Sequence, residues 1–131
     1  MIIDASAIVA ILRNEPEAGS CANAIASTTS RRVSAVNYVE AAVVIDGSRD
    51  PVASRRFDDL FREAQFAVEP VTESQARIAR EAYRDFGKGS GHPAGLNLGD
   101  CFAYALAKAT GEAILFKGDD FRHTDLTPAL A

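Results

Sequence analysis

The chain has little that would mark it as crosslinked, secreted or membrane-bound. Only two cysteines, Cys21 and Cys101, occur in 131 residues. They lie far apart in apolar, helix-like surroundings, where a free cysteine acts as a small buried hydrophobe, so neither a disulfide nor a zinc site is expected. No apolar run approaches the roughly 20 residues of a membrane-spanning helix. No basic segment precedes the apolar N-terminal stretch, as a secretory signal would require, and the expected location is the cytoplasm. Basic charge is not in excess: 18 acids against 14 lysines and arginines give a net charge of −4, which argues against nucleic-acid binding through bulk basicity. His92 and His123 are the only histidines, and each reads as a surface residue rather than a general base. There is no internal repeat or linker, and the length suits one hydrophobic core. Residues 1–131 are therefore expected to form a single domain.

What is present begins with "MIIDASAIVAIL", in which an apolar run is interrupted by Asp4 and then resumes. Burying an unpaired carboxylate costs several kcal/mol or shifts its pKa, so Asp4 needs a partner. Residues 1–4 suit a buried strand and Ser6 to Leu12 a helix. Asn14-Glu15-Pro16-Glu17 can start a second helix, with proline in the first turn, running to about Ser27. Arg32-Val33-Ser34 reads as a strand feeding a helix capped by Ser34 and stopped by Gly47. A further helix is expected over 51–65, a strand over 66–70, and a helix from the Thr72-Glu73-Ser74-Gln75 capping box to about Gly87. The glycine-rich stretch 87–97 reads as a loop. It leads into a helix over "LGDCFAYALAKAT" closed by Gly111, a last strand over 113–116, and Lys117-Gly118-Asp119-Asp120-Phe121. This alternation predicts an α/β fold, a short parallel sheet with helices on both faces.

In open α/β sheets, functional groups gather beyond the carboxyl ends of the strands. Asp4 ends the first strand, Asp119 and Asp120 follow the last, Asp100 opens a helix, and Glu40 sits on a helix otherwise made of valines and alanines. Each has an ordinary explanation: Asp4 and Asp100 as helix caps, Glu40 as a solvent-facing glutamate, Asp119 and Asp120 as turn residues. Taken together they point to a hard divalent cation such as Mg²⁺ or Mn²⁺, which needs several oxygen ligands in one cleft. Such an ion would compensate Asp4, and Ser6 is placed to fix the orientation of its carboxylate. With these five acids in a site, 13 of the 18 remain against 14 bases, leaving a nearly neutral surface whose cations are free to meet phosphates.

The segments "IIDASAIVAIL", "VSAVNYVEAAVVI", "LNLGDCFAYALAKATGEAILFKGDDF" and "HTDL" together resemble the PIN-domain ribonucleases, specifically the VapC-type toxins of bacterial toxin–antitoxin pairs. The resemblance implies a PIN-like fold and metal-assisted hydrolysis of RNA phosphodiester bonds, with tRNA or a ribosomal RNA loop as substrate. It implies that Asp4, Glu40 and Asp100 are active-site acids, with Asp4 and Asp100 as the direct ligands of Mg²⁺, or of Mn²⁺ in its place. The fourth acid falls on Asp119 or Asp120, of which Asp120 fits the Asp-Phe pair better, and Ser6 matches the hydroxyl expected after the first aspartate. Many PIN domains have a hydroxyl or Asn after the last strand, where this chain reads Phe116-Lys117-Gly118, so no role is carried over there. A homodimer and a VapB-type antitoxin covering the cleft are implied as partners. The candidate RNA contacts are Lys88, His92, Lys117 and Arg122, whereas Tyr83, Phe86 and Tyr104 read as core.

Two other readings compete. A small phosphate-ester hydrolase with a carboxylate nucleophile fits the sheet and Asp4, but residue six is Ser rather than a second acid. A non-catalytic module, in which the acids hold a structural ion or cap helices, fits the same residues. Metal-dependent cleavage of RNA separates these classes.

Overall fold

The computed structural model describes residues 1–131. Strand β1 (Ile2–Ile3) leads into α1 (Ala5–Leu12) and α2 (Ala18–Ala26). Strand β2 (Arg32–Ser34) is followed by α3 (Ala35–Asp46) and α4 (Pro51–Glu63), and β3 (Ala67–Glu69) by α5 (Glu73–Phe86) and α6 (Leu98–Thr110). Strand β4 (Ile114–Leu115) then precedes a 3-10 turn, Asp120–His123. The four strands form one parallel sheet in the order β3-β2-β1-β4. Ile2 pairs with both Arg32 and Ile114, and Ile3 with Leu115, so β1 is central.

Alternation along these short strands makes two cores. Ile2 and Ile114 face the layer of α5 and α6, packing with Ala79, Leu96, Leu106 and Phe121. Ile3, Val33 and Leu115 face the opposite layer, with Ile8, Cys21, Ile45 and Phe57 from α1 to α4. The sheet is thus covered on both faces, as expected, and both cysteines are buried and free.

The boundaries differ from expectation in places. Helix α2 starts at Ala18 rather than at Pro16. Asn14 ends α1 in a left-handed conformation (φ 52°), and the Glu15 N–H donates to Ala10 O at 2.9 Å, so Pro16 belongs to the turn. Strand β3 begins after Gln65, which has φ 54°, and the buried Phe66 joins the aromatic cluster of Tyr38, Phe57 and Phe61 instead. Tyr83 does not belong to the core: its side of α5 is open and it is 47% exposed. Tyr104 is buried, with its hydroxyl donating to Asp125 at 2.7 Å, and Phe86 packs against the same core. The glycine-rich loop is closed on itself, with Lys88 N–H donating to Leu96 O and Leu96 N–H to Phe86 O, and so delivers Asn97 to the start of α6.

Candidate active site

The carboxyl end of β1 lies between those of β2 and β4, and Asp4 is the first residue beyond it. Its N–H extends the β1–β4 ladder by donating to Leu115 O at 2.9 Å. Its carboxylate caps α1 by accepting from Ser6 N–H at 3.0 Å through Oδ2. The other oxygen, Oδ1, is buried and has no hydrogen-bond partner. Asp4 is therefore the cap that its sequence position allows, but a cap uses only half of its carboxylate.

Asp100 comes from the first turn of α6. The N-cap there is Asn97, and the two form a reciprocal capping box: Asp100 N–H donates to Asn97 Oδ1 at 2.8 Å, and Asn97 N–H donates to Asp100 Oδ2 at 3.1 Å. This holds the Asp100 side chain against the helix start while leaving its other oxygen uncommitted by the cap. Burial, then the charge of Asp4, push the Asp100 carboxyl up to about 7.

Glu40 does not point to solvent. It is half-buried on α3, accepts from Asn37 Nδ2 at 3.3 Å, and lies against Gly99 so closely that a Cβ on Gly99 would overlap its carboxylate. The fully buried Asn37 also donates to Gly99 O at 2.9 Å, joining α3 to the start of α6. Burial and the charge of Asp4 raise the Glu40 carboxyl above its usual range. Asp4 is raised chiefly by burial, against the bonds from Ser6, with Asp120 adding its own charge.

Asp119 and Asp120 separate in their surroundings. Asp120 opens the 3-10 turn and acts electrostatically on both Asp4 and Asp100. Asp119 is 85% exposed on its side chain, with Arg122 at 3.8 Å. Ser6 bridges the site by a different contact from the one expected alone: besides its link to Asp4, its Oγ accepts from Lys117 N–H at 2.9 Å. Asp4, Ser6, Glu40 and Asp100 thus line one open cleft of about 300 Å³, together with Glu15, Asn97, Lys117, Val9 and Val44.

Two of the candidate RNA contacts have other tasks. His92 Nδ1 accepts from Ala94 N–H at 3.1 Å, and its ring packs edge-on to Phe86 with centroids 4.8 Å apart, so it braces the glycine loop. Arg122 lies over the Phe116 ring and donates to the carbonyls of Leu130 and Ala131.

The cluster fits a hard divalent cation. It combines an orphaned buried carboxylate oxygen with three acids raised chiefly by burial, the charge of Asp4 adding to the rise at Glu40 and Asp100, a cost that a cation relieves. No three of these side chains close into a tight cage.

A family model described as PIN domain matches residues 1–126. The chain belongs to the PIN-domain family. Its sequence is 58% identical over 130 residues to Ribonuclease VapC28 of Mycobacterium tuberculosis, covering 99% of this chain and 98% of that one, which places it among the VapC ribonucleases. The structure of VapC20 from Mycobacterium tuberculosis, described as a sarcin-ricin loop cleaving toxin, superposes with a TM-score of 0.75 at 15% identity, over 96% of this chain and 95% of that chain. A chain of a toxin-antitoxin complex from Klebsiella pneumoniae gives a TM-score of 0.68 at 15% identity, over 92% and 88%. At that identity the likeness establishes the shared fold, and this PIN domain presents its acids from it.

Asn37, Asn97, Gly99 and Glu15 are the site residues that sequence reasoning missed. Asn97 carries a signal, since it precedes Asp100 by the spacing of a capping box. Asn37 and Gly99 carry none, because their contact joins residues 62 positions apart.

Proposed function

We propose that this PIN domain, residues 1–131, is a VapC-type endoribonuclease toxin that hydrolyses RNA phosphodiester bonds in the cleft at Asp4 and Asp100. The observation that carries the reading is the orphaned Asp4 Oδ1 beside an Asp100 whose pKa is pushed up to about 7: two buried carboxylates are kept together with no protein cation between them. Asp4 and Asp100 would hold Mg²⁺, with Mn²⁺ as the alternative, and Glu40 and Asp120 would stand behind them. When bound, the ion supplies a Lewis acid for the charge developing on the phosphoryl oxygens and makes water acidic enough to attack near neutral pH.

The chain's own residues position and tune this site. Ser6 holds one oxygen of Asp4 and leaves the other without a hydrogen-bond partner. Asn97 fixes Asp100 to the helix start, and Asn37 orients Glu40 across Gly99, where it can accept a proton from water. No residue is needed as a covalent nucleophile. The substrate is cellular RNA, a tRNA or a ribosomal RNA loop, and the protein acts in the cytoplasm. No helix is long and apolar enough to cross a membrane.

VapC toxins pair with antitoxins, and one of the structural neighbours is a toxin-antitoxin complex. In this chain Val39 and Val43 of α3 are 55% and 64% exposed, and Val44 and Val9 line the cleft beside Glu40. An exposed apolar row next to an active site is a partner surface, and we assign it to a VapB-type antitoxin that covers the cleft. A homodimer is the expected form of the toxin itself.

The test is cleavage of total cellular RNA by the purified chain with Mg²⁺ or Mn²⁺, with EDTA, and with Asp100→Asn. Discrete fragments that disappear in EDTA and with Asp100→Asn are the expected result. RNA left intact by the wild-type chain with either metal, or cut equally by Asp100→Asn, overturns the reading.

A further inference from the structure

One cation stands at the mouth of the acidic cleft. Lys117 is the only lysine or arginine lining it, against Asp4, Glu15, Glu40 and Asp100. Its backbone is fixed by the bond from its N–H to Ser6 Oγ, and Gly118 turns the chain immediately afterwards with φ 97°. Its ammonium rests 2.5 Å from Glu15 Oε2 and 3.8 Å from Glu17 Oε2. That resting place is built by the left-handed Asn14, which folds Glu15 back over the end of α1. Glu17 Oε2 is buried and accepts no hydrogen bond of its own, so the ammonium is the positive charge nearest to it that the fold provides.

An RNA backbone entering this cleft meets four carboxylates, neutral side chains and this one cation. A lysine whose main chain is fixed still swings its charge on a flexible four-carbon stem, whereas Arg122 is held by Phe116 and the C-terminal carbonyls. We propose that Lys117 is the phosphate-contact residue of the cleft and Glu15 its resting partner: when RNA binds, the ammonium leaves Glu15 for a phosphate oxygen of the strand. Glu15 thereby sets how readily RNA is admitted. The inference rests on the ribonuclease reading of this cleft and names the residue that meets the substrate's backbone.

The experiment measures equilibrium binding of a fluorescently labelled tRNA pool in the Asp100→Asn background with Mg²⁺, and cleavage kinetics in the chain with Asp100 intact. Lys117→Met is expected to weaken binding about tenfold, the loss of one charge-assisted contact, and to flatten the salt dependence by about 0.7–0.9 in slope. Lys117→Arg keeps most of the affinity. In cleavage, Lys117→Met raises KM and leaves kcat within about twofold. Glu15→Gln tightens binding several-fold, and this gain disappears when Met replaces Lys117. A merely structural role cannot tighten binding, so the Glu15 arm separates contact from folding. Unchanged affinity and salt slope in Lys117→Met overturn the proposal. A Glu15→Gln gain that is absent, or that persists without the lysine, overturns the role of Glu15. If the chain with Asp100 intact cuts no RNA, the ribonuclease reading fails, while the binding arm still decides the role of Lys117.

Discussion

Asp4 divides its two oxygens between two tasks: one caps α1 at Ser6, and the other is buried with nothing to accept from. Its position at a strand end and the apolar run around it made it legible in sequence, as did the placement of Asp100 at a helix start. Glu40 was legible as an anomaly among valines, but its orientation was not, because Asn37 and Gly99 fix it through a contact between distant segments. The raised carboxyls give a pH dependence. With the Asp100 pKa moved from 3.8 to about 7, the folded chain binds more protons than the unfolded chain between those values. Stability of the metal-free protein therefore falls as pH rises from about 4 to 7 and levels off above. The depressed carboxyls of Asp85, Glu112 and Asp125 act in the opposite sense at lower pH, so the window to use is pH 5–8. Thermal unfolding in EDTA should show a lower midpoint at pH 8 than at pH 5, and added Mn²⁺ should remove most of that difference. A midpoint that rises across the window in EDTA would show that these carboxyls are not raised by their burial in the folded chain.

At the scale of elements, helix starts and stops carried most of the information. Ser34 and Thr72 cap α3 and α5 as expected, and Gly111 ends α6 in the left-handed region with φ 71°; Asp50 and Asn97, which the sequence reading does not single out, cap α4 and α6 in the same way. Helix α2 starts later than its proline suggests because the left-handed turn at Asn14, which the local pattern does not reveal, puts Pro16 in the connection. The strands are shorter than their apolar runs, because neighbours such as Phe66 are buried by packing rather than by pairing. The cap at α6 serves the site as well as the helix. Asn97→Ala is expected to cost about 1 kcal/mol of stability and to weaken divalent-metal binding by about tenfold, because the support of Asp100 is loosened. Denaturant unfolding and metal titration of the same sample read the two effects, and Asn97→Ser should restore much of the stability.

For the whole molecule, the order β3-β2-β1-β4 places β1 in the middle, and Asp4, Glu40 and Asp100 meet at one cleft from segments far apart in sequence. The alternation of strands and helices pointed to a parallel sheet with two covered faces. It did not order the strands, because register and neighbours depend on crossovers rather than on local pattern. Nor did the apolar helices reveal which face was left open; α3 exposes Val39 and Val43 beside the cleft. Val43→Asp should change folding stability by no more than about 0.5 kcal/mol, as for other exposed substitutions. It should leave metal-dependent cleavage intact and weaken binding of the cognate antitoxin by tenfold or more, as read by titration calorimetry. Undiminished antitoxin affinity would move the partner to another surface.

Asp4 and Asp100 lie buried at one cleft, and the proposal that they hold a divalent cation is read most directly by calorimetric titration of Mn²⁺ into the metal-free protein at pH 8, which does not require the RNA target. Wild type and Asp119→Asn should bind alike, while Asp4→Asn and Asp100→Asn, each folded by circular dichroism, lose at least tenfold in affinity. Equal binding by all four proteins, or none by the wild type, would contradict it.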